Sequence, residues 1–188
     1  NTLKGAYMPG YDTVPTMDDY ASAITSALYS SGISKDNQPL LILEAGRALI
    51  DDAGYIAGTV LANKRLSDGR RATIVDVGVN LLFPSFWYEH KILPVKQISK
   101  QPEESTIYGP LCMNIDVLRA AVAFPILKKG DNFVIRRIGA YNMTQWMQFI
   151  TLRPKVILID VQGNSHVIRK NEQLETLKSQ ESVPEHLK

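Results

Sequence analysis

The sequence predicts a mainly β chain, a barrel or sandwich, with a short α/β remnant ahead of it. Three observations carry this. From about residue 54 onward, short strand-like runs alternate with turn signals, at Ser67-Asp68-Gly69, Lys129-Gly130-Asp131 and Gln162-Gly163-Asn164. The first fifty residues have another texture: an amphipathic helical stretch, a continuous apolar run, then a second helical stretch. The length sets a bound. A chain of 188 residues, 45% of them hydrophobic, can bury a core. It cannot hold a full eight-stranded α/β barrel, which takes about 250 residues, together with a β-domain.

The elements follow in order. Thr16 and Asp19 have capping-box spacing and start a helix over 17–31, with Tyr20, Ile24 and Leu28 along one face and Gly32 as its stop. Leu40-Leu41-Ile42-Leu43 reads as a strand buried on both faces. Residues 46–52 read as a short helix. Strands are expected over 55–66, 72–77, 92–99, 105–108, 132–138, 155–160 and 165–169. Residues 142–150 suit a helical turn, 171–179 a terminal helix, and 181–188 a frayed tail. The expected organisation is therefore an α/β piece over 1–53, a β-domain over 54–170, and a terminal helix and tail over 171–188.

Composition excludes some classes. Twenty-one Lys and Arg against nineteen Asp and Glu give a net charge of +2, with no basic stripe or motif for nucleic acid. Lys64, Arg65, Arg70 and Arg71 flank Ser67-Asp68-Gly69 and read as a solvated hairpin. A single cysteine cannot form an internal disulfide and fits a reducing, cytoplasmic compartment. No apolar run is long enough for a membrane helix. No spacing of His, Cys, Asp and Glu reads as a metal site.

Three motifs carry candidate chemistry. Glu44-Ala45-Gly46-Arg47 closes the apolar run, where a strand end followed by a helix start suits an anion. Gly109-Pro110-Leu111-Cys112-Met113-Asn114-Ile115-Asp116 holds the one thiol. Gly139-Ala140-Tyr141-Asn142 follows a strand. Taken singly, each has a structural alternative: an ion pair for Glu44 and Arg47, a buried thiol for Cys112, and a core phenol for Tyr141. Taken in order, the motifs resemble the carboxyl-terminal half of the pyridoxal-phosphate decarboxylases of the alanine-racemase-like fold, the family that includes ornithine and diaminopimelate decarboxylases. The resemblance spans roughly residues 18–169.

The resemblance implies a β-domain of the alanine-racemase carboxyl-terminal type, preceded by the last helix, strand and helix of a TIM barrel. It implies pyridoxal 5'-phosphate as cofactor and an amino-acid-like substrate. Glu44 would face the pyridine nitrogen, Gly46 would hold phosphate through its backbone, Arg47 would contact phosphate or a substrate carboxylate, and Tyr141 would donate to the phosphate. Cys112 would protonate the carbon left when carbon dioxide departs. Tyr88, Met113 and Asp116 fall on the substrate side, with Asp116 orienting the loop rather than reacting, and His90 accompanies Tyr88. Two departures bear on specificity. Met113 replaces an acidic residue, and Phe83 stands near the place of an Arg, so a substrate with an apolar or bulky far end is expected rather than diaminopimelate or ornithine. The family's cofactor-linking Lys and Gly-rich loop find no match, so the chain is expected to be the carboxyl-terminal portion of a larger enzyme. A homodimer with shared sites is implied, and Trp146, Met147, Phe149 and Ile150 could serve its interface or the core. Two rivals remain: a non-catalytic relative that binds a regulatory partner, and a racemase of the same fold, which would use a Tyr in place of the Cys112 loop.

Overall fold

The computed structural model describes residues 2–3, 15–96 and 101–188. The chain divides into two compact units, Gly5–Gly46 on one side and Asn1–Lys4 with Arg47–Lys188 on the other.

In the first unit, helix α1 (Met17–Ser30) begins at the expected capping box. Thr16 Oγ1 accepts from the Asp19 amide at 3.2 Å, and Asp19 Oδ2 accepts from the Thr16 amide at 2.7 Å. The expected strand at Leu40-Leu41-Ile42-Leu43 is not formed. The segment is irregular, and Leu40 is 86% exposed. A parallel strand exists only through neighbours that satisfy its amides and cover both faces. None pairs with it among the described residues. The expected helix over 46–52 is two 3₁₀ turns instead, Gly46–Leu49 and Asp51–Ala53.

The second unit is built on strands. These are β1 (Thr2–Leu3), β2 (Tyr55–Arg65), β3 (Arg71–Val75), β4 (Tyr88–Glu89), β5 (Ile92–Pro94), β6 (Glu103–Tyr108), β7 (Val117–Phe124), β8 (Asn132–Arg136), β9 (Val156–Ile159) and β10 (Ser165–Arg169). Six of them form one sheet in the order β5-β8-β2-β3-β6-β7. All its pairings are antiparallel except β3 with β6. β1 pairs with β4, and β9 with β10, as separate two-stranded ladders. A short helix α2 (Leu174–Lys178) follows. The sheet rolls into a half-barrel. Arg119 on β7, at one edge, reaches Glu89 Oε2 at 3.2 Å and donates to the His90 carbonyl at 3.2 Å, just ahead of β5 at the other edge. Val60, Val75, Ile107, Leu118, Phe133 and Ile135 come from five different strands and fill the inside, with Val79, Leu82 and Leu127 completing the core.

Most expected strands are present within a residue or two of their limits. β5 stops at Pro94, and residues 97–99 of the expected 92–99 strand lie outside the described residues. β7 was not expected. Three alanines and Arg119 dilute its β signal, and pairing with β6 decides it. The hairpin turn at Ser67-Asp68-Gly69 is present, but Arg71 is not solvated. It is 3% exposed, because it shares the inward face of β3 with Thr73 and Val75. Its guanidinium is held by Ser105 Oγ at 2.9 Å and by the Phe124 and Pro125 carbonyls at 2.9 and 3.1 Å.

His90 is another buried polar group, 2% exposed. Burial lowers its pKa from 6.5 to about 4, against the pull of Asp51 and with added repulsion from Arg47. Above pH 6.5 both folded and unfolded chains carry a neutral imidazole. As pH falls from 6.5 to about 4, only the unfolded chain takes up the proton, so folding stability is lost across that window. The expected loss is about 3 kcal/mol. Denaturation curves at pH 7, 5.5 and 4 for wild type and His90→Phe test this. The difference between them isolates His90 from Asp116, whose raised pKa acts in the opposite sense. Parallel curves would rule out the His90 contribution.

Candidate active site

The site begins with a close backbone approach. The Ile138 amide donates to the Gly54 carbonyl at 3.1 Å, and the Gly139 amide to the Asp51 carbonyl at 3.0 Å. A Cβ on Gly139 would run into the Ile50 carbonyl, so only glycine fits there. This pinch fastens the turn carrying Arg47 to the loop carrying Tyr141. Asn142 secures the loop from inside. It is buried and donates through Nδ2 to the Ile138 and Ala140 carbonyls at 2.8 and 3.1 Å. Tyr141 is thereby held at φ 64 with its ring half-exposed. That is a left-handed conformation costing a non-glycine residue on the order of 1–3 kcal/mol.

Arg47 sits between aromatic faces. Its guanidinium carbon lies 4.1 Å from the Tyr88 ring centroid and 5.6 Å from that of Tyr141. Nη1 donates to Asp51 Oδ1 at 2.8 Å. Arg47, Pro84, Trp87, Tyr88, Tyr141 and Gln145 line a cleft of about 420 Å³. The cleft offers one fixed cation, two phenols, an amide and an apolar wall, which suits an anionic group on a flat or apolar body.

The thiol is displayed elsewhere in the same unit. Cys112 is exposed on a loop closed by the Asp116 carboxylate. Asp116 Oδ1 accepts from the Val79 amide at 2.8 Å, and Oδ2 from the Leu111 amide at 2.7 Å. The Asp116 carbonyl accepts from the Gly109 amide at 3.0 Å, and a Cβ on Gly109 would strike that carboxylate. Burial pushes the Asp116 carboxyl above its ordinary range, while the Val79 and Leu111 amides pull it back.

Arg47, Tyr88 and Tyr141, from three separate segments, thus share one cleft. Cys112 is not among its lining residues. Asp116, placed on the substrate side from sequence, is 2% exposed with both oxygens engaged, so it holds the loop and is closed to substrate. Met113 is half-buried and packs against the core. Glu44 and Gly46 lie at the end of the first unit, where Gly46 has φ 59. His90 is sealed beneath the surface rather than facing the cleft. Trp87, Gln145, Asp51 and Asn142 went unassigned in the sequence. Asp51 stands four residues after Arg47, the spacing of a helical ion pair, and that signal was readable. Among the described residues, no group of His, Cys, Asp and Glu could hold a metal ion. No helix among them is long and apolar enough to cross a membrane.

Half-barrel sheet, Cys112 loop and Arg47–Tyr141 cleft together define a class, and the comparisons agree. The chain belongs to the pyridoxal-dependent decarboxylases: the model of their C-terminal sheet domain matches residues 19–139. Among curated relatives, diaminopimelate decarboxylase of Helicobacter pylori is 32% identical over 163 residues, covering 85% of this chain and 38% of the relative. The Methanocaldococcus jannaschii enzyme of the same name is 30% identical over 177 residues, covering 93% and 40%. A crystal structure of the latter with L-lysine superposes with a TM-score of 0.82 at 30% identity, covering 95% of this chain and 41% of that one. The chain spans about 40% of the length of these relatives.

The Asp116 clamp is testable. Asp116→Asn keeps one acceptor and turns an NH₂ group against a backbone N–H. The expected cost is about 1–3 kcal/mol of stability by chemical denaturation, with faster alkylation of Cys112 as its loop loosens. Unchanged stability would show that the two amides find other partners.

Proposed function

We propose that this chain supplies the carboxyl-terminal part of a pyridoxal-phosphate-dependent carboxy-lyase acting on an amino acid or a close analogue. The observation that carries this reading is the shared cleft: Arg47, Tyr88 and Tyr141 come from segments about 40 to 95 residues apart and meet around one fixed cation. The residues fit the cofactor's phosphate, since the cleft presents a held guanidinium and a half-exposed phenol donor. When bound, pyridoxal phosphate withdraws electrons from the substrate Cα so that carbon dioxide can leave.

The chain's own groups have distinct tasks. Arg47 is stiffened by Asp51 and Tyr88 and binds an anionic oxygen of phosphate or substrate carboxylate. Tyr141 donates its hydroxyl to the same anion. Glu44, at the end of the first unit, keeps the cofactor ring nitrogen protonated, and Gly46 offers its backbone amide to phosphate. Cys112 Sγ delivers a proton to Cα, and Asp116 keeps the thiol displayed. Thiols suit this task because neighbouring groups can tune them towards neutrality. Cys112 serves the site of a second subunit in a cytoplasmic homodimer, a reading in keeping with its absence from the lining of the Arg47 cleft. An amino-terminal half of the enzyme provides the cofactor-linking Lys, in keeping with the 38–40% of the relatives' length spanned here.

In the complete enzyme, Cys112→Ala is expected to slow turnover by about 10²–10⁴-fold with cofactor affinity unchanged. Mixing Cys112→Ala subunits with Arg47→Ala subunits is expected to restore activity through one intact shared site. Normal turnover of Cys112→Ala would refute the acid role, and no rescue in proven heterodimers would refute the shared site.

Substrate choice divides two readings. The relatives' names point to diaminopimelate. Met113 points away from it, since a half-buried thioether packed on the core cannot pair with a distal ammonium. Phe83, edge-to-face with Trp87 at 5.1 Å, adds apolar surface beside the cleft. Losing a charge-assisted bond forfeits roughly 1.5–3 kcal/mol. A panel of diaminopimelate, basic amino acids and larger carboxylated amines is expected to favour the last. Diaminopimelate turnover with kcat/KM above about 10⁴ M⁻¹s⁻¹ would overturn the Met113 argument.

A further inference from the structure

We propose that Trp87 selects for an aryl group at the far end of the substrate, seated against the apolar wall of the Arg47 cleft. The proposal rests on the carboxy-lyase reading and names the substrate class within it: amino acids with an aromatic side chain.

A short turn builds that wall. Phe83–Phe86 form a 3₁₀ turn with Pro84 near its start. Leu82, Pro84 and Ser85 are buried. The Ser85 amide donates to the Leu82 carbonyl at 2.8 Å, and the Trp87 amide to the Pro84 carbonyl at 3.0 Å. The backbone beneath the indole is therefore fixed. Phe83 and Phe86 both meet the indole edge-to-face, with centroids 5.1 and 5.8 Å away and interplanar angles of 87° and 88°. Neither ring stacks on it in parallel, and Trp87 stays 43% exposed. The chain's other tryptophan serves the fold: Trp146 packs against the core and donates Nε1 to the Leu81 carbonyl at 3.0 Å. A braced indole left open beside a fixed cation is apolar surface placed for a ligand.

Charge narrows what the far end can be. The lining of the cleft holds no carboxylate and a single cation, Arg47. A distal ammonium would face that cation without a counter-charge. A distal carboxylate would need a cation of its own, and Arg47 is taken by the phosphate or the α-carboxylate. What the lining accepts is a neutral end. Among neutral ends, an aromatic ring gains the ring-to-ring geometry that Trp87 offers, and an aliphatic group of equal bulk does not.

Two measurements on the complete enzyme with its cofactor test the proposal. The first is kcat/KM for phenylalanine, tyrosine and tryptophan against cyclohexylalanine, leucine, lysine and diaminopimelate. The best aromatic amino acid is expected to exceed cyclohexylalanine about threefold or more. Its kcat/KM ratio over leucine is expected to fall about tenfold in Trp87→Ala and to be largely kept in Trp87→Phe. A loss of folded enzyme cancels in that ratio. The second is calorimetric binding of 3-phenylpropionate, which has no amino group and cannot react. Its affinity is expected to drop about tenfold in Trp87→Ala. Preference for lysine or diaminopimelate would overturn the aryl proposal and leave the carboxy-lyase reading intact. So would equal turnover of cyclohexylalanine, or a ratio unmoved by Trp87→Ala. No turnover of any amino acid, with 3-phenylpropionate still bound through Trp87, would sink the carboxy-lyase reading and support the aryl site. Absence of both turnover and binding would overturn the aryl site as well.

Discussion

The close passage of the 51–54 turn against Ile138 and Gly139 organises this protein's chemistry. Two backbone hydrogen bonds cross there, and no side chain larger than hydrogen fits at Gly139. Everything near the Arg47 cleft inherits its position from that contact. Arg47 stands at the start of one segment and Tyr141 just past the other, so fastening the two backbones fixes a cation beside a phenol. Asn142 and the strained φ of Tyr141 are consequences of the same docking. The loop has to turn sharply to bring the ring outward while its base stays buried.

Buried polar groups do much of the remaining positioning, and each works through backbone atoms. Asp116 gathers two amides from segments more than thirty residues apart and so ties the Cys112 loop to the core. Arg71 gathers two carbonyls at the end of β7 and anchors the next loop. Arg119 bridges the sheet's two edges. Such groups are costly to bury, and that cost ties the fold to one arrangement, because any alternative would leave a charge unpartnered. His90 shows the same economy: it stays neutral inside, and its stability contribution therefore depends on pH.

Charge is distributed unevenly for a chain of net +2. At Arg47 the cation is matched by Asp51 and sandwiched by aromatic rings, which limits its hydration and keeps it in place. At the Arg71 cleft the cations exceed the carboxylates, and Nη1 of Arg71 has no acceptor among the described residues. The first arrangement holds one cation in a fixed orientation, and the second leaves an excess of positive charge at the surface.

The strand pattern, the hairpin at Ser67-Asp68-Gly69, the capping box at Thr16 and Asp19, and the family motifs were all legible in the sequence, because each is a local signal. Periodicity, turn chemistry and a short ordered motif need no knowledge of distant neighbours. Their ordered sequence also sufficed to point to the pyridoxal-dependent decarboxylases. What the sequence could not show depends on partners remote along the chain. Leu40 to Leu43 has strand composition but no strand beside it among the described residues, whereas Ala-rich β7 is a strand because β6 lies alongside. Arg71 looked solvated because its acceptors come from β6 and the end of β7. Asp116 read as orienting the Cys112 loop on the substrate side, but the amides that fill its oxygens, Val79 and Leu111, were not legible. The sequence by itself determined most of the strands and turns, the capping box and the family. Only the tertiary structure decided which groups are buried, which are paired, and which share a cleft, because burial and pairing are properties of neighbours that the chain brings together only by folding.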